Sequence, residues 1–599
     1  MANYVAPVWD IRFILDELAG APDVFAFPGF AEADIDLMEP MLEEVARFIQ
    51  EKVAPLNVAS DRHGSTWNSD GSVSTPPGFI ETYRAYADAG WQSVPFDPAY
   101  GGGGFPGIMS TAIQEMLNSA CMSFALCPLL TQGAIDLLVH HGSEQQKETW
   151  LRPLVSGEWS ATMNLTEPDA GSDVGALRTR AEKADDGTYR LFGQKIFITY
   201  GEHDLTDNIV HLVLARTVDA PPGTKGISTF VVPKFLLDES GNPTIANAVS
   251  CTSIEHKLGI HGSPTCVLQF GEEQGAVGYL VGEENQGMAY MFTMMNNARL
   301  AVGVQGVAIA ERAYQDAVAY ANERTQGHAI GAPRGSMSPI IEHPDVRRNL
   351  LTMKAYIEAA RGLAFLDSAA VDTEAHHPDA DVREHASERA SILTPVVKGW
   401  CTDLGVTLTS IALQVHGGMG FVEETGVAQH FRDARINPIY EGTNGIQALD
   451  LVARKLPLRG GAAIGELFEE VDAVAASTVS MGEPFAGLGA KLRSSTDLVR
   501  NTTAQLLERL GKDPVEAFAG ATPYLSMVGH LLGGWSLLRQ ALAAQGRIDG
   551  GDKDHRLAAK VVTATFYIEQ LLPNGDALES AVLAPASALM SLTPEQFAP

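Results

Sequence analysis

One carboxylate stands in a setting suited to proton abstraction. Glu441 lies in Asn437-Pro438-Ile439-Tyr440-Glu441-Gly442-Thr443-Asn444-Gly445-Ile446-Gln447, on a loop between Pro438 and Gly442. Just beyond it, Asn444 and Gln447 have the spacing of a capping box, and the helical pattern they open runs on through Leu449 and Val452. A loop carboxylate there can serve as a general base; from spacing alone a solvated side chain is the ordinary reading. A second constellation is Met163-Asn164-Leu165-Thr166-Glu167-Pro168-Asp169-Ala170-Gly171-Ser172-Asp173. Its hydroxyls and Gly-Ser pair could meet a polar ring edge, or form a plain Ser/Thr/Asp loop. In Gly193-Gln194-Lys195-Ile196-Phe197-Ile198-Thr199, strand alternation puts Phe197 and Thr199 on one face, an aromatic and a hydroxyl for a flat ligand. A half-buried strand explains them equally. In Gln414-Val415-His416-Gly417-Gly418-Met419-Gly420, adjacent glycines let backbone approach a phosphate. The chain has no Gly-x-Ser-x-Gly, so this segment is not a hydrolase oxyanion loop.

Two motif matches fail on context. Gly102-x-Gly104-x-x-Gly107 fits the dinucleotide fingerprint in letters, yet Pro98 and Pro106 crowd the places where a strand and a smooth helix start are needed. Gly511-Lys512 is followed by Asp513 and cannot complete a phosphate loop. His256 and His261 have no ligand-like partners nearby in sequence, so no metal site is expected.

The elements that must position these residues fall into an α, β, α, α order. An N-terminal extension, 1–34, precedes a helical domain over 35–159, where Leu37, Met41, Val45, Ile49 and Val53 recur at helical spacing. Short branched and aromatic runs (Tyr189–Ile198, Ile209–Ala215, Ile227–Val232, Thr265–Phe270) predict a small antiparallel β domain over 160–283. Helical texture returns over 284–456. Arg454–Gly465 resembles a linker, and an extra helical domain occupies 466–599. The predicted fold is mainly α with a central β domain.

A chain of 599 residues requires several domains. The 42 Lys+Arg against 73 Asp+Glu give a net charge of −31, which opposes nucleic acid and anionic membranes. Five cysteines form no Cys-x-x-Cys pair and are expected to be reduced thiols. The N-terminus lacks the pattern of a secretory signal. No uninterrupted apolar run approaches a membrane span, and the stretch Leu531–Leu538 is broken by Gly533 and Gly534. The expected setting is cytoplasmic, without stable membrane insertion.

Together, Thr-Glu-Pro-x-Ala-Gly-Ser-Asp at 166–173, Gly-Gln-Lys-x-x-Ile-Thr at 193–199 and Tyr-Glu-Gly-Thr at 440–443 resemble the acyl-CoA dehydrogenase family over roughly 35–455. The resemblance implies FAD held between the β domain and the second helical domain. Met163, Leu165 and Thr166 would line the flavin, with Phe197 beside the ring and Thr199 bonding near N5. Ser172, Asn296, Arg299, Tyr440 and Gly442 would meet acyl-CoA. Arg324, Gln414, Gly417 and Gly418 would reach the FAD of a neighbouring subunit, which implies a homo-oligomer, expected to be a dimer. Thr443 and Gly445 would lie near the adenine or pyrophosphate. Glu441 would take the α-proton of a saturated fatty acyl-CoA, giving a trans-2-enoyl-CoA, with electrons passed to an electron-transfer flavoprotein. The enolate oxygen would be held by an FAD ribityl hydroxyl and the Glu441 N–H, at roughly 3 kcal/mol per donor. Met163, Phe197 and Asn296 stand where the family often has an aromatic, a Trp and an Asp. The long C-terminus is similar to a bacterial branch that includes 3-methylmercaptopropionyl-CoA dehydrogenases, so that thioester is an alternative substrate. An acyl-CoA oxidase and a silent binding scaffold are further alternatives.

Overall fold

A computed structural model describes residues 3–598 apart from Pro333, Arg334 and Ser336. Contacts divide the chain into two units. One joins Pro7–Ala31, with helix α1 (Val8–Glu17), to everything from Val302 onward. The other comprises Asn3–Ala6 and Glu32–Ala301.

In the second unit, helix α2 (Met38–Phe48) runs into a π turn, Ile49–Val53. The five predicted positions are strictly four apart, whereas an α-helix turns every 3.6 residues, so such a row drifts around the axis. Leu37, at its start, is accordingly 48% exposed. The wider π turn absorbs the drift at the other end and leaves Ile49 and Val53 fully buried. Helix α3 (Gly107–His141) has the length and hydropathy of a membrane span, contrary to the sequence expectation; 89% of its most apolar window is buried inside the protein, as in a core helix. It kinks at Cys121, which has φ −159° and ψ 94°. Helix α4 (Glu144–Ser156) opens on a capping box formed by Ser143 and Gln146.

The principal sheet has eight strands: β1 (Trp159–Asn164), β2 (Arg180–Lys183), β3 (Tyr189–Thr199), β4 (Asn208–Thr217), β5 (Ser228–Pro233), β6 (Val249–Ile254), β7 (Thr265–Phe270) and β8 (Ala276–Leu280). Their order is β6-β7-β3-β8-β5-β4-β1, with β2 beside β3 and β4. Most pairs are antiparallel, but β1 and β2 each run parallel to β4. Between β1 and β4 the chain passes through β2 and β3, a connection long enough for parallel pairing. Strand β4 is buried on both faces. Val210, Leu212 and Leu214 join one apolar cluster, Val213 and Ala215 the other, as the two-residue period of a strand requires.

Helix α5 (Gly287–Glu323) contains the division between the units. In the first unit, α6 (Pro344–His376) packs along α7 (Ala380–His416). There follow α8 (Asn444–Asp450), α9 (Ala462–Ser477), α10 (Phe485–Lys512), α11 (Ala521–Asp549) and α12 (His555–Phe566). The segment read as a linker is structured: a π turn over Leu451–Lys455 and a 3₁₀ turn over Leu458–Gly461 lead directly into α9. Arg459 pins this bend by pairing with Glu388 at 2.7 Å and Glu466 at 2.6 Å. Gly533 does not break α11; a Cβ there would meet the Tyr567 hydroxyl at 2.6 Å and the Trp400 ring at 2.7 Å, so glycine permits a close helix crossing.

Candidate active site

The Glu441 loop follows helical turns after Ala434 and ends where Thr443 caps α8. The Thr443 side chain accepts from Ile446 N–H at 3.4 Å, so the cap sits one residue earlier than the capping-box spacing suggested. Asn444 is turned instead toward α7. It donates to Gly399 O at 2.9 Å and Asp403 Oδ1 at 2.8 Å, and accepts from Lys398 Nζ at 2.9 Å. Gln447 donates to the carbonyls of Glu441 and Gly442 at 3.4 and 3.2 Å. Glu441 has φ 56° and Gly442 φ 82°. For a non-glycine residue this left-handed conformation costs about 1–2 kcal/mol, and it persists only where neighbours impose it. The Gln447 amide and the Asn444 N–H···O bond to Pro438, 3.0 Å, supply that constraint.

Tyr440 adjoins Glu441. Its hydroxyl donates to Gln305 and, at 3.3 Å, to Asn437 Oδ1. Burial, and then the Glu441 charge, push the phenol far above its ordinary pKa, so it stays a donor. Tyr440, Glu441, Gly442 and Thr443 are half-buried, whereas Gly445 is exposed.

In the same unit Arg324, Gln414, Gly417 and Gly418 are exposed. Gly417 has φ 60°, and a Cβ at either glycine would meet nothing within 4 Å. His416 stacks on Tyr320 at 4.4 Å between centroids. Phe421 is 92% exposed beside these glycines.

In the sheet unit, Met163 ends buried on β1 and Leu165 packs against the same cluster. Thr166 and Thr199 carry half-buried hydroxyls with no protein partner among the described residues. Strand β3 bulges against β7: Thr199, Ile198 and Lys195 pair with Thr265, Cys266 and Leu268, which leaves an extra residue on β3. The inward residues there are Lys195 and Ile198, three apart, so plain alternation is interrupted. Phe197 takes φ 60° and is 57% exposed. Tyr200 follows with φ 52° and donates to Ser123 O at 2.7 Å. Ser172 and Asn296 are exposed, while Arg299 is buried 5.9 Å from the Phe292 ring centre.

A buried ion pair, unassigned in the sequence reading, fastens the two sheet-unit motifs together. Lys195 Nζ reaches Glu167 Oε1 at 2.7 Å and Leu165 O at 3.0 Å. Glu167 also accepts from Thr179 Oγ1 and N–H at 2.6 and 3.1 Å and from Arg178 N–H at 2.6 Å. Burial works against the carboxylate, but the Lys195 charge and these bonds hold its pKa below the ordinary value. Burial lowers the Lys195 ammonium to about 8, with Glu167 opposing. Opposite charges within the two motifs were the available signal; which charge meets which is a tertiary fact.

Profiles of the acyl-CoA dehydrogenase N-terminal, middle and C-terminal domains match residues 38–158, 162–272 and 285–456. One described as acetyl-CoA dehydrogenase C-terminal like matches 467–593. The 3-methylmercaptopropionyl-CoA dehydrogenase of Ruegeria pomeroyi is 46% identical over 98% of this chain and 99% of its own. The chain belongs to the acyl-CoA dehydrogenase family. Another relative, the broad-specificity linear acyl-CoA dehydrogenase FadE5 of Mycobacterium tuberculosis, is 36% identical over 96% of both chains. Among solved structures, an acyl-CoA dehydrogenase complexed with FAD from Bacillus anthracis shares the fold, with TM-score 0.74 and 23% identity over 95% of this chain and 91% of that one. Butyryl-CoA dehydrogenase of Megasphaera elsdenii, with TM-score 0.56 and 29% identity, covers 70% of this acyl-CoA dehydrogenase and 97% of its own chain.

Proposed function

We propose that the chain is an FAD-dependent acyl-CoA dehydrogenase whose base is Glu441 and whose substrate is a short acyl thioester of the 3-methylthiopropionyl kind. The observation that carries the assignment of the base is the Glu441 backbone, held in a strained conformation by the Gln447 amide. A silent scaffold has no use for that strain. The residues fit FAD by their chemistry: two half-buried hydroxyls without protein partners among the described residues, Thr166 and Thr199, lie in motifs that flank an exposed, strained aromatic, Phe197. They would hold the polar edge and flank the ring. FAD supplies the acceptor for the hydride that leaves the β-carbon. Glu441 takes the α-proton onto its carboxylate, the α,β double bond forms from the two broken C–H bonds, and the Glu441 N–H serves the thioester oxygen as negative charge builds on it.

The higher identity to the Ruegeria enzyme favours the methylthio thioester. The 36% relative supports a second reading, a linear fatty acyl-CoA. An electron-transfer flavoprotein is the proposed acceptor of the electrons. The proposed assembly is a cytoplasmic homodimer, supported by the exposed Gly417–Gly418 turn and Phe421.

Glu441→Gln should keep yellow FAD and lose substrate-dependent bleaching, with the rate of flavin reduction down roughly 10²–10⁴-fold. Normal reduction in that variant would remove Glu441 from the chemistry. An anaerobic bleaching series with 3-(methylthio)propionyl-, butanoyl- and octanoyl-CoA ranks the two substrate readings. Stoichiometric peroxide under air would mark an oxidase instead.

A further inference from the structure

Helices α6, α7, α9 and α11, with Leu18 from the N-terminal segment, line an open pocket of about 670 Å³ within the helical unit. That volume is in the range of small-molecule sites. Leu366, Ala370, Ile392, Leu467 and Val474 give it an apolar wall, and Trp535 and Arg539 line it as well. None of its lining residues is among those assigned to FAD or acyl-CoA. Helices α9 and α11 lie beyond residue 456, where the C-terminal domain profile ends, so the cavity depends on the added helices.

Charge in this cavity is unevenly matched. Arg389 forms a two-pronged pair with Glu470, at 2.7 and 3.0 Å. Glu388 and Glu466 are both taken by Arg459. Arg539 lies 5.0 Å from the Trp535 ring centre and donates to the Leu18 carbonyl at 3.2 Å. Among the described residues no carboxylate lies within 4.0 Å of it. Burial, and then the like charge of Arg389, lower its pKa, with the Glu470 charge opposing, so the guanidinium is desolvated without a direct ion pair. The Trp535 indole N–H is also buried with no acceptor among the described residues.

We infer that this cavity is a second ligand site for an aliphatic monocarboxylate, with its chain along the apolar wall and its carboxylate on Arg539. A planar guanidinium fork matches a carboxylate, and the bond to the Leu18 carbonyl uses one of its five N–H donors. A guanidinium without a direct ion pair suits a ligand with a single carboxylate. A polyanion such as a nucleotide would be repelled by Glu388, Glu466 and Glu470 on the same lining.

Calorimetric titration of the FAD-loaded protein, with saturating trans-2-butenoyl-CoA to occupy the acyl-CoA site, tests this with octanoate and its neutral isostere octanamide. Octanoate is expected to bind one per chain, and octanamide at least about tenfold more weakly. Arg539→Gln should weaken octanoate by at least about tenfold while leaving acyl-CoA turnover unchanged. Val474→Trp, which fills the cavity without altering charge, should weaken octanoate similarly. Equal binding of octanoate and octanamide overturns the inference, as does no octanoate binding to the unmodified protein up to about 10 mM. So does full octanoate affinity in Arg539→Gln. If that variant does not fold, as judged by bound FAD, the amide comparison and Val474→Trp decide.

Discussion

At Glu441 and Phe197, φ values of 56° and 60° place non-glycine residues in the left-handed region, and each is held by different means. In the Glu441 loop, the Gln447 amide bonds both the Glu441 carbonyl and that of Gly442. Gln447→Leu should therefore lower kcat by about tenfold with KM little changed, the size expected when a hydrogen bond of 1–2 kcal/mol is lost from the loop of the proposed base. Steady-state kinetics with bound FAD monitored separates this from loss of fold; unchanged kcat would show that the loop holds itself. Phe197 is exposed, so its ring adds little to packing. Phe197→Asn, with a residue that tolerates this backbone, should leave the apoprotein within about 1 kcal/mol of its original stability, or above it. FAD affinity should fall. Urea unfolding of the apoprotein and fluorimetric FAD titration check the two halves.

Among the elements, the β3 bulge and the loop after β1 are joined by Lys195 and Glu167. The folded Glu167 pKa lies below its unfolded value of 4.5, so on acidification the unfolded chain takes up the proton first. The stability this carboxylate contributes is present above pH 4.5 and is lost as pH falls through the lower folded value. Glu167→Gln should flatten the decline in stability below pH 4.5, and at neutral pH it should cost about 3–5 kcal/mol because Lys195 is left buried without its charge partner. Denaturant midpoints measured from pH 7 to about pH 3 read both effects.

For the whole molecule, the chain ends are structural rather than ornamental. Helix α1 buries Ile11, Phe13, Ile14 and Leu15 in the helical unit. Asp10 there meets Lys560 at 2.8 Å, and Lys560 also meets Glu358 at 3.1 Å. Gln540 ties α11 to α6 through Glu358 O at 3.1 Å, and Tyr567 donates to His530 O at 3.0 Å. Deleting residues 1–31 should thus destabilise the protein by about 3 kcal/mol or more, since it strips a partner from a buried cation and uncovers apolar surface. A deletion variant with an unchanged melting temperature and solubility would show that the N-terminal segment is dispensable.

Much of the proposed site is local in the chain, and the family was legible from those segments. The hydroxyls, glycines and carboxylate of 166–173, 193–199 and 440–443 lie within their own short segments, so their order and types already resemble the acyl-CoA dehydrogenase family. The α, β, α texture follows from periodicity in the same way, because periods of 3.6 and 2 report which residues one element buries. What the periods could not give were contacts between distant segments. The partner of Lys195, the turn of Asn444 toward α7, the grip of Gln447 on Glu441 and the burial of helix α3 each depend on what packs opposite. The bulge that exposes Phe197 is set by register against β7, and no residue in β3 announces it. Residue type and local spacing determined the chemistry on offer, whereas only the folded chain decided which backbone is strained, which charges are paired and which cation is left without one, since these are properties of neighbours in space.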